Sequence, residues 1–276
     1  MYPAIQFLID GQWRDGDGDG QGEAILNPAT GASLGDCPFA NEKVLDEALA
    51  SAERAFKFWR RTTAVERAGI LRKAADLLRE RTEHIATVLT LEQGKPIAES
   101  RGELGYAADI VEWYGEECKR SYGRIVPSRN PAVRQLVTRE PVGVVAAFSP
   151  WNFPAVTPIR KIAGAIAAGC SIVIKPSEET PATCAEMARC FIDAGLPAGV
   201  LNVVYGQPAF VSEYLMRSEA VRKISFTGSV PVGRLLMRQA ADTLKRTTME
   251  LGGHSPVVVF DDVDVEQVTQ MLVGGK

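Results

Sequence analysis

Residues 223–234, K-I-S-F-T-G-S-V-P-V-G-R, followed after a helical run by residues 248–253, T-M-E-L-G-G, decide how the chain is read. The first piece reads as a strand, a tight Gly228-Ser229 turn and the start of a helix. The second reads as a strand that ends on a carboxylate, Glu250, beside Gly252 and Gly253. A strand that feeds a helix N-terminus through a glycine turn is a ready anion site, because unpaired backbone N–H groups and the positive helix end both point at the turn. Open α/β sheets bind ligands at the carboxyl ends of their strands. A dinucleotide site with Glu250 as general base is the expectation that follows.

Working outward, the same alternation runs from Pro141 onward. Val142–Phe148 is a continuous apolar run, followed by a helical stretch near 156–168. Strands are expected at 171–174, 201–204, 223–226 and 256–260, and helices near 181–194, 208–216 and 231–243. Strands alternating with helices imply an α/β fold with a doubly wound, Rossmann-like parallel sheet.

Ahead of that core, Val44, Ala48, Ala52, Ala55 and Trp59 recur at spacings of three and four, as do Ile70, Ala74, Leu77 and Leu78. The spacing predicts long helices over 43–122, the last opened by Pro96. Trp113 and Tyr114 in that last helix read as core or interface anchors, and His84 as a surface or capping residue. Residues 123–140 alternate apolar and polar positions around Asn130-Pro131. They predict two strands with one exposed face, a protruding hairpin suited to pairing with another subunit. Residues 5–30 read as short strands and turns. Within them D-G-D-G-D-G, residues 15–20, resembles the start of a calcium loop, but its twelfth position is Leu26 where a bidentate acid is required, so a solvated hairpin turn is expected.

Composition narrows the function classes. Of the 276 residues, 46% are hydrophobic and 24% charged, as in soluble globular proteins. The net charge of −3 argues against general nucleic-acid binding. No run approaches the roughly 18 apolar residues that span a membrane, and the N-terminus lacks the pattern of a secretory signal, so a cytoplasmic protein is expected. The five cysteines, Cys37, Cys118, Cys170, Cys184 and Cys190, have neither CxxC pairing nor metal spacing and read as reduced, buried thiols.

A strict G-x-G-x-x-G is absent. Gly228 and Gly233 have the spacing of a phosphate-binding loop, but Arg234-Leu235 stands where Lys-Ser/Thr is required, which disfavours a nucleotide triphosphatase. Four segments together carry more: F-S-P-W-N-F-P (148–154), K-P-S-E (175–178), F-T-G-S-V-P-V-G (226–233) and M-E-L-G-G (249–253). In this order and spacing the chain resembles the NAD(P)-dependent aldehyde dehydrogenases along essentially its whole length.

The resemblance implies roles at matching positions. Asn152 matches the side-chain donor to the oxyanion of a thiohemiacetal, where one fixed donor is worth roughly 10²–10³ in rate. Glu250 matches the base that activates water to hydrolyse the thioester. Taken alone, Asn152 also reads as a buried turn residue before Pro154, and Glu250 as a strand-end surface acid, the reading favoured without the flanking motif. Lys175 and Glu178 match the residues that hold the adenosine ribose. A carboxylate there accepts hydroxyl hydrogen bonds but repels a 2′-phosphate, which tilts the cofactor toward NAD, while Lys175 and Ser177 could still accommodate NADP. Ser229 and its helix match the pyrophosphate contact, with Gly228 beside it also cofactor-binding, Trp151 a phosphate-contacting position, Gly206 and Gly233 positions of close approach, and Leu251 a backbone contact to the nicotinamide end. Arg160 matches an arginine that faces the substrate carboxylate in succinate-semialdehyde and 2-oxoglutarate-semialdehyde dehydrogenases, a task suited to its bidentate fork. W-Y-G-E-E-C-K-R-S-Y-G-R-I-V-P (113–127) and M-E-L-G-G-H-S-P-V-V-V-F-D-D (249–262) also look like this subgroup, with His254 where many relatives have Lys.

One departure matters. The family's nucleophile is a Cys in a segment of type F-x-N-x-G-Q-x-C, and the sequence stops at V-G-G-K, 273–276, which looks like the run just before it. None of the five cysteines occupies a matching position, so these 276 residues alone are expected to bind NAD without oxidising aldehyde. The implied organisation is 1–122 as N-terminal turns and helices, 123–140 as oligomerisation strands of a homodimer or homotetramer, 141–262 as the dinucleotide-binding core, and 263–276 as the beginning of a catalytic domain. The rival readings are a non-catalytic NAD-binding or assembly module, and a dehydrogenase for uncharged aldehydes.

Overall fold

The computed structural model describes residues 2–16 and 22–275. The acidic glycine turn expected at 15–20 lies largely outside them. In chain order the strands are β1 (Phe7–Ile9), β2 (Gln12–Arg14), β3 (Gly22–Leu26) and β4 (Ser33–Pro38). Four helices follow: α1 (Glu42–Trp59), α2 (Ala64–Glu80), α3 (Thr82–Gln93) and α4 (Ile97–Cys118). Then come β5 (Arg124–Val126), β6 (Gln135–Val137), β7 (Val144–Phe148), α5 (Val156–Ala167), β8 (Ile172–Lys175), α6 (Pro181–Asp193) and β9 (Leu201–Val203). The chain closes with α7 (Pro208–Arg217), β10 (Val221–Gly228), α8 (Val230–Ala241), β11 (Arg246–Leu251) and α9 (Val265–Gly274).

Seven strands form one sheet in the order β11-β10-β7-β8-β9-β1-β2. The first five are parallel, as the alternation predicts. β1 and β2 extend this sheet antiparallel, so the N-terminal segment belongs to the core sheet rather than lying beside it. The fully buried Phe7–Ile9 run explains why: three consecutive apolar residues need cover on both faces. Helices α1, α7 and α8 pack on one face, α5 and α6 on the other, and α2, α3 and α4 form a further layer over α5 and α6.

Local sequence sets the helix boundaries. Asn41 caps α1 through the Val44 N–H, and Thr63 with Glu66 forms a capping box on α2. Gly94 ends α3 in the left-handed region at φ 83°. The buried faces of α1 and α2 include Val44, Ala48, Ala52, Ala55 and Trp59, then Ala74 and Leu78, the positions marked by periodicity.

One expectation fails. Residues 256–260 form no strand. Val258 and Phe260 are 74% and 70% exposed, and among the described residues no strand lies alongside to take up their N–H and C=O groups. Of the two aromatic residues expected as core or interface anchors, Tyr114 packs against Gly164 of α5, while Trp113 is 64% exposed on α4 and lies outside the core. The β5–β6 pair is antiparallel, as expected, but residues on both of its faces are exposed, where the alternation predicts a single exposed face. His84 lies on the surface, 3.1 Å from Glu186.

Candidate active site at the carboxyl edge of the sheet

Register brings the four segments to one edge. Phe148 at the end of β7 sits between Lys175 of β8 and Phe226 of β10. On β10 and β11, Thr227 pairs with Glu250 and Gly228 with Leu251. The turns that follow β7, β8, β9 and β10 therefore carry Trp151 and Asn152, then Ser177 and Glu178, Gly206, and Ser229, all along the carboxyl ends of parallel strands.

The β8 turn holds a buried ion pair. Lys175 is 5% exposed; its ammonium donates to the Glu178 carboxylate and to the Pro176 carbonyl at 3.3 Å. Ser177 is buried and donates to Glu179. Ser229 caps α8 by accepting from the Val232 N–H, so this helix points its N-terminus into the same edge. Two glycines sit at close approaches. A methyl at Gly233 would meet Leu251 Cδ2 at 2.7 Å, and Gly206 has φ 148° with Ala40 N 3.2 Å from the position of a Cβ. The hydroxyls of Ser149 and Thr180, both buried here, bond to no group among the described residues. An ammonium, hydroxyls, a carboxylate and a helix N-terminus are a donor and acceptor set that could hold a dinucleotide, the side chains of Lys175 and Glu178 suiting hydroxyls and the start of α8 suiting phosphate.

At the opposite side, β10 and β11 each present a polar face. Lys223, Ser225 and Thr227 alternate with buried or packed Ile224 and Phe226, and Arg246, Thr248 and Glu250 match them in register. A cleft of about 280 Å³ opens there, lined in part by Arg160, Lys161, Lys223, Ser225 and Thr248. Lys161 was not singled out by the sequence. It is 8% exposed and donates to Thr227 at 2.8 Å and Ser225 at 3.4 Å. Burial pushes its pKa down to about 8, against the pull of the Glu250 charge, which favours the ammonium. Glu250 itself is exposed, as is Asn152.

Arg160 stands exposed on α5. Its guanidinium donates to the Tyr106 hydroxyl at 3.1 Å and lies 5.8 Å from that ring's centroid, and among the described residues it has no carboxylate partner. Trp151 and Phe153 are also exposed at this edge.

Two carboxylates missed by sequence reasoning hold the edge together. Helices α5 and α6 have no side-chain cap of their own at Ala155 or Thr180. Glu103 of α4 accepts from the Ala155 and Val156 N–H groups at 2.9 and 3.1 Å. Glu92 of α3 accepts from Ala182 N–H at 3.0 Å, Thr183 N–H at 2.8 Å and Tyr2 hydroxyl at 2.6 Å. Each caps a helix from another layer and meets the positive end of its dipole.

None of the five cysteines is poised as a nucleophile. All are buried and free, and burial pushes each thiol pKa up, that of Cys190 to about 11. Cys170 and Cys184 are core residues, as expected. Among the described residues no His/Cys/Asp/Glu group could hold a metal, and no helix is long and apolar enough to cross a membrane.

Comparison with known proteins agrees with this architecture. The chain is 50% identical over 276 residues, all of its length and 58% of the relative's, to 4-(hydroxymethyl)benzenesulfonate dehydrogenase TsaD1 of Comamonas testosteroni. It is 44% identical over 271 residues, 98% of its length and 56% of the relative's, to succinate-semialdehyde dehydrogenase [NADP(+)] GabD of Escherichia coli. The crystal structure of succinate-semialdehyde dehydrogenase from Burkholderia pseudomallei superposes with TM-score 0.94 at 45% identity, covering 98% of this chain and 56% of that one. The chain thus spans a little over half the length of these relatives. Residues 13–276 match the family described as the aldehyde dehydrogenase family, and the chain belongs to it.

Proposed function

We propose that this chain forms the nucleotide-binding part of an NAD(P)-dependent aldehyde dehydrogenase whose substrate is a short aldehyde bearing an anionic group at its far end, such as succinate semialdehyde. The observation that carries the reading is the placement of Asn152, Glu250 and the Lys175–Glu178 pair at one edge of the sheet. Bound nicotinamide nucleotide would supply the two-electron acceptor. The chain's own residues would bind and orient it through Lys175, Ser177, Glu178, Trp151 and the Ser229 helix start, with Gly206, Gly228, Gly233 and Leu251 allowing close approach. The Asn152 amide would donate to the oxyanion formed at the aldehyde carbon, and Glu250 would take a proton from the hydrolytic water. None of the five buried cysteines is suited to the nucleophile's role, so these residues alone are expected to bind nucleotide without turnover. Residues 123–140 would mediate a homodimer or homotetramer; Ile125, Leu136 and Val137 are exposed there.

Arg160 sets the substrate class in this reading. It projects from the cleft wall, steadied by Tyr106 and free of carboxylate partners among the described residues. The relatives named above carry a carboxylate or a sulfonate in the substrates of their names, groups that an arginine fork binds in the same way. Arg160→Met is expected to raise KM for succinate semialdehyde by roughly 10- to 100-fold, the cost of one charge-assisted contact of about 1.5–3 kcal/mol, and to change KM for an uncharged aldehyde little. Equal effects on both substrates would refute the anionic class.

Glu178 sets the nucleotide in the same reading. Its carboxylate would repel a 2′-phosphate, so Glu178→Gln should shift relative affinity toward NADP by about tenfold, the order of one unit-charge interaction at a partly solvated site. Calorimetric titration of both nucleotides checks this, and an unchanged ratio would remove Glu178 from the adenosine site.

A further inference from the structure

We infer that the Lys95–Glu103 ion pair is a positioning device for the turn that carries Asn152. The inference rests on the reading of Asn152 as an oxyanion donor. The two side chains are 11% and 4% exposed, and the ammonium lies 2.6 Å from Glu103 Oε2. Both partners grip the same five-residue stretch. Glu103 Oε1 takes the Ala155 and Val156 N–H groups, fixing where α5 begins. Lys95 Nζ donates to the Asn152 carbonyl at 3.3 Å and sits 4.2 Å from the centroid of the Phe153 ring.

Chemistry explains why this stretch needs an outside clamp. Residues 150–154, P-W-N-F-P, leave β7 with prolines at both ends and no polar side chain able to cap α5. Trp151, Asn152 and Phe153 are exposed, so packing alone does not hold them. The clamp supplies what is missing. One carboxylate oxygen ties down the helix start, and the other anchors the ammonium that holds the Asn152 backbone. The Asn152 side chain then projects from a peptide fixed at its carbonyl and at the helix three residues on. Because the pair is buried, removing one partner leaves an uncompensated charge against the other, so either substitution frees the turn. Neither residue touches substrate in this account; both act through Asn152.

The test compares Lys95→Met, Asn152→Ala and the double variant in the active enzyme, with succinate semialdehyde as substrate. Lys95→Met should lower kcat by about tenfold or more, as expected when a donor is misplaced by a fraction of an ångström, while NAD affinity stays within about twofold. The double variant should be no slower than Asn152→Ala alone, because both changes remove the same donor. A Lys95→Met enzyme with unchanged kcat, or a double variant whose losses multiply, overturns the inference while leaving Asn152 its role. An Asn152→Ala enzyme with unchanged kcat overturns both together. Glu103→Leu, which removes the acceptor, gives a measurement that needs no turnover. Hydrogen exchange at the Ala155 and Val156 amides should rise by about tenfold or more with the β8 and β9 amides unchanged, and exchange that stays slow at 155 and 156 overturns the clamp.

Discussion

In the active enzyme of the proposed reading, with Glu250 as its general base, Glu250→Gln is expected to lower steady-state aldehyde oxidation by about 10²- to 10⁴-fold, the range lost when a positioned general base is removed. Glutamine keeps the shape and can still hydrogen-bond a water, but it takes no proton. Aldehyde should still be consumed at one equivalent per site in the first turnover, because the base is needed only when water attacks the acylated enzyme. A variant slow in that first turnover would place Glu250 earlier in the sequence, and one with unimpaired steady-state turnover would remove it from the chemistry. A second consequence needs no activity. The Glu250 charge supports the Lys161 ammonium, whose pKa burial pushes down to about 8. Without that charge the Lys161 pKa must fall further, and NMR titration of its side chain in Glu250→Gln reads the shift directly. An unmoved titration would show that the two groups do not interact.

How far this arrangement was legible in the sequence depends on the range of the signal. The edge residues were readable because each sits within a few positions of a strand end. Gly228-Ser229 follows an apolar-polar alternation, Glu250 closes another, and Pro181 and Pro208 mark helix starts just downstream. The same logic failed at P-V-V-V-F, 256–260, whose composition is that of a strand. Periodicity records the propensity to form a ladder, whereas a ladder also needs a neighbour, and none lies beside these residues in the described chain. The antiparallel docking of β1 and β2 was missed for the converse reason: a three-residue strand such as Phe7–Ile9 carries too little pattern to name its partner, which lies across the chain at Val203.

The residues that hold the edge in place were not legible at all. Glu103 reaches Ala155 across 52 positions and Glu92 reaches Ala182 across 90. Both sit on helices otherwise read as an amphipathic scaffold, where an acidic residue is by default solvent-facing. The single local hint was negative: α5 begins without Ser, Thr, Asp or Asn at its cap, so its orphan N–H groups had to find an acceptor elsewhere. Lys161 was hidden by its neighbour. In T-P-I-R-K the arginine has the obvious ligand chemistry, yet the lysine is the buried cation beside Thr227.

Glu92→Ala is expected to destabilise the chain by on the order of 3 kcal/mol or more, since it leaves buried donors unpaired at about 1–3 kcal/mol each. The carboxylate is 3% exposed and accepts from the N–H groups of Ala182 and Thr183 and from the hydroxyls of Thr183 and Tyr2, so it caps α6 and ties the N-terminal segment to it. Glu92→Gln keeps the volume and half of the acceptors, and should cost less. Comparing wild type with Glu92→Gln isolates the charge. Burial, the largest influence, pushes the Glu92 pKa up to about 7, outweighing the hydrogen bonds from Thr183, Tyr2 and Ala182 that favour the anion. The folded state therefore holds this proton more tightly than the unfolded chain, whose glutamate titrates near 4.5. The stability so gained is complete below about pH 4.5 and is lost as pH rises through about 7, at up to roughly 1.4 kcal/mol per pH unit. Protonation is tolerated because the Tyr2 and Thr183 hydroxyls can turn from donor to acceptor. Denaturant unfolding at several pH values should thus show the wild-type advantage over Glu92→Gln shrinking between pH 5 and 8. An advantage that instead grows with pH would mean that the converging donors win over burial and that Glu92 stays ionised throughout.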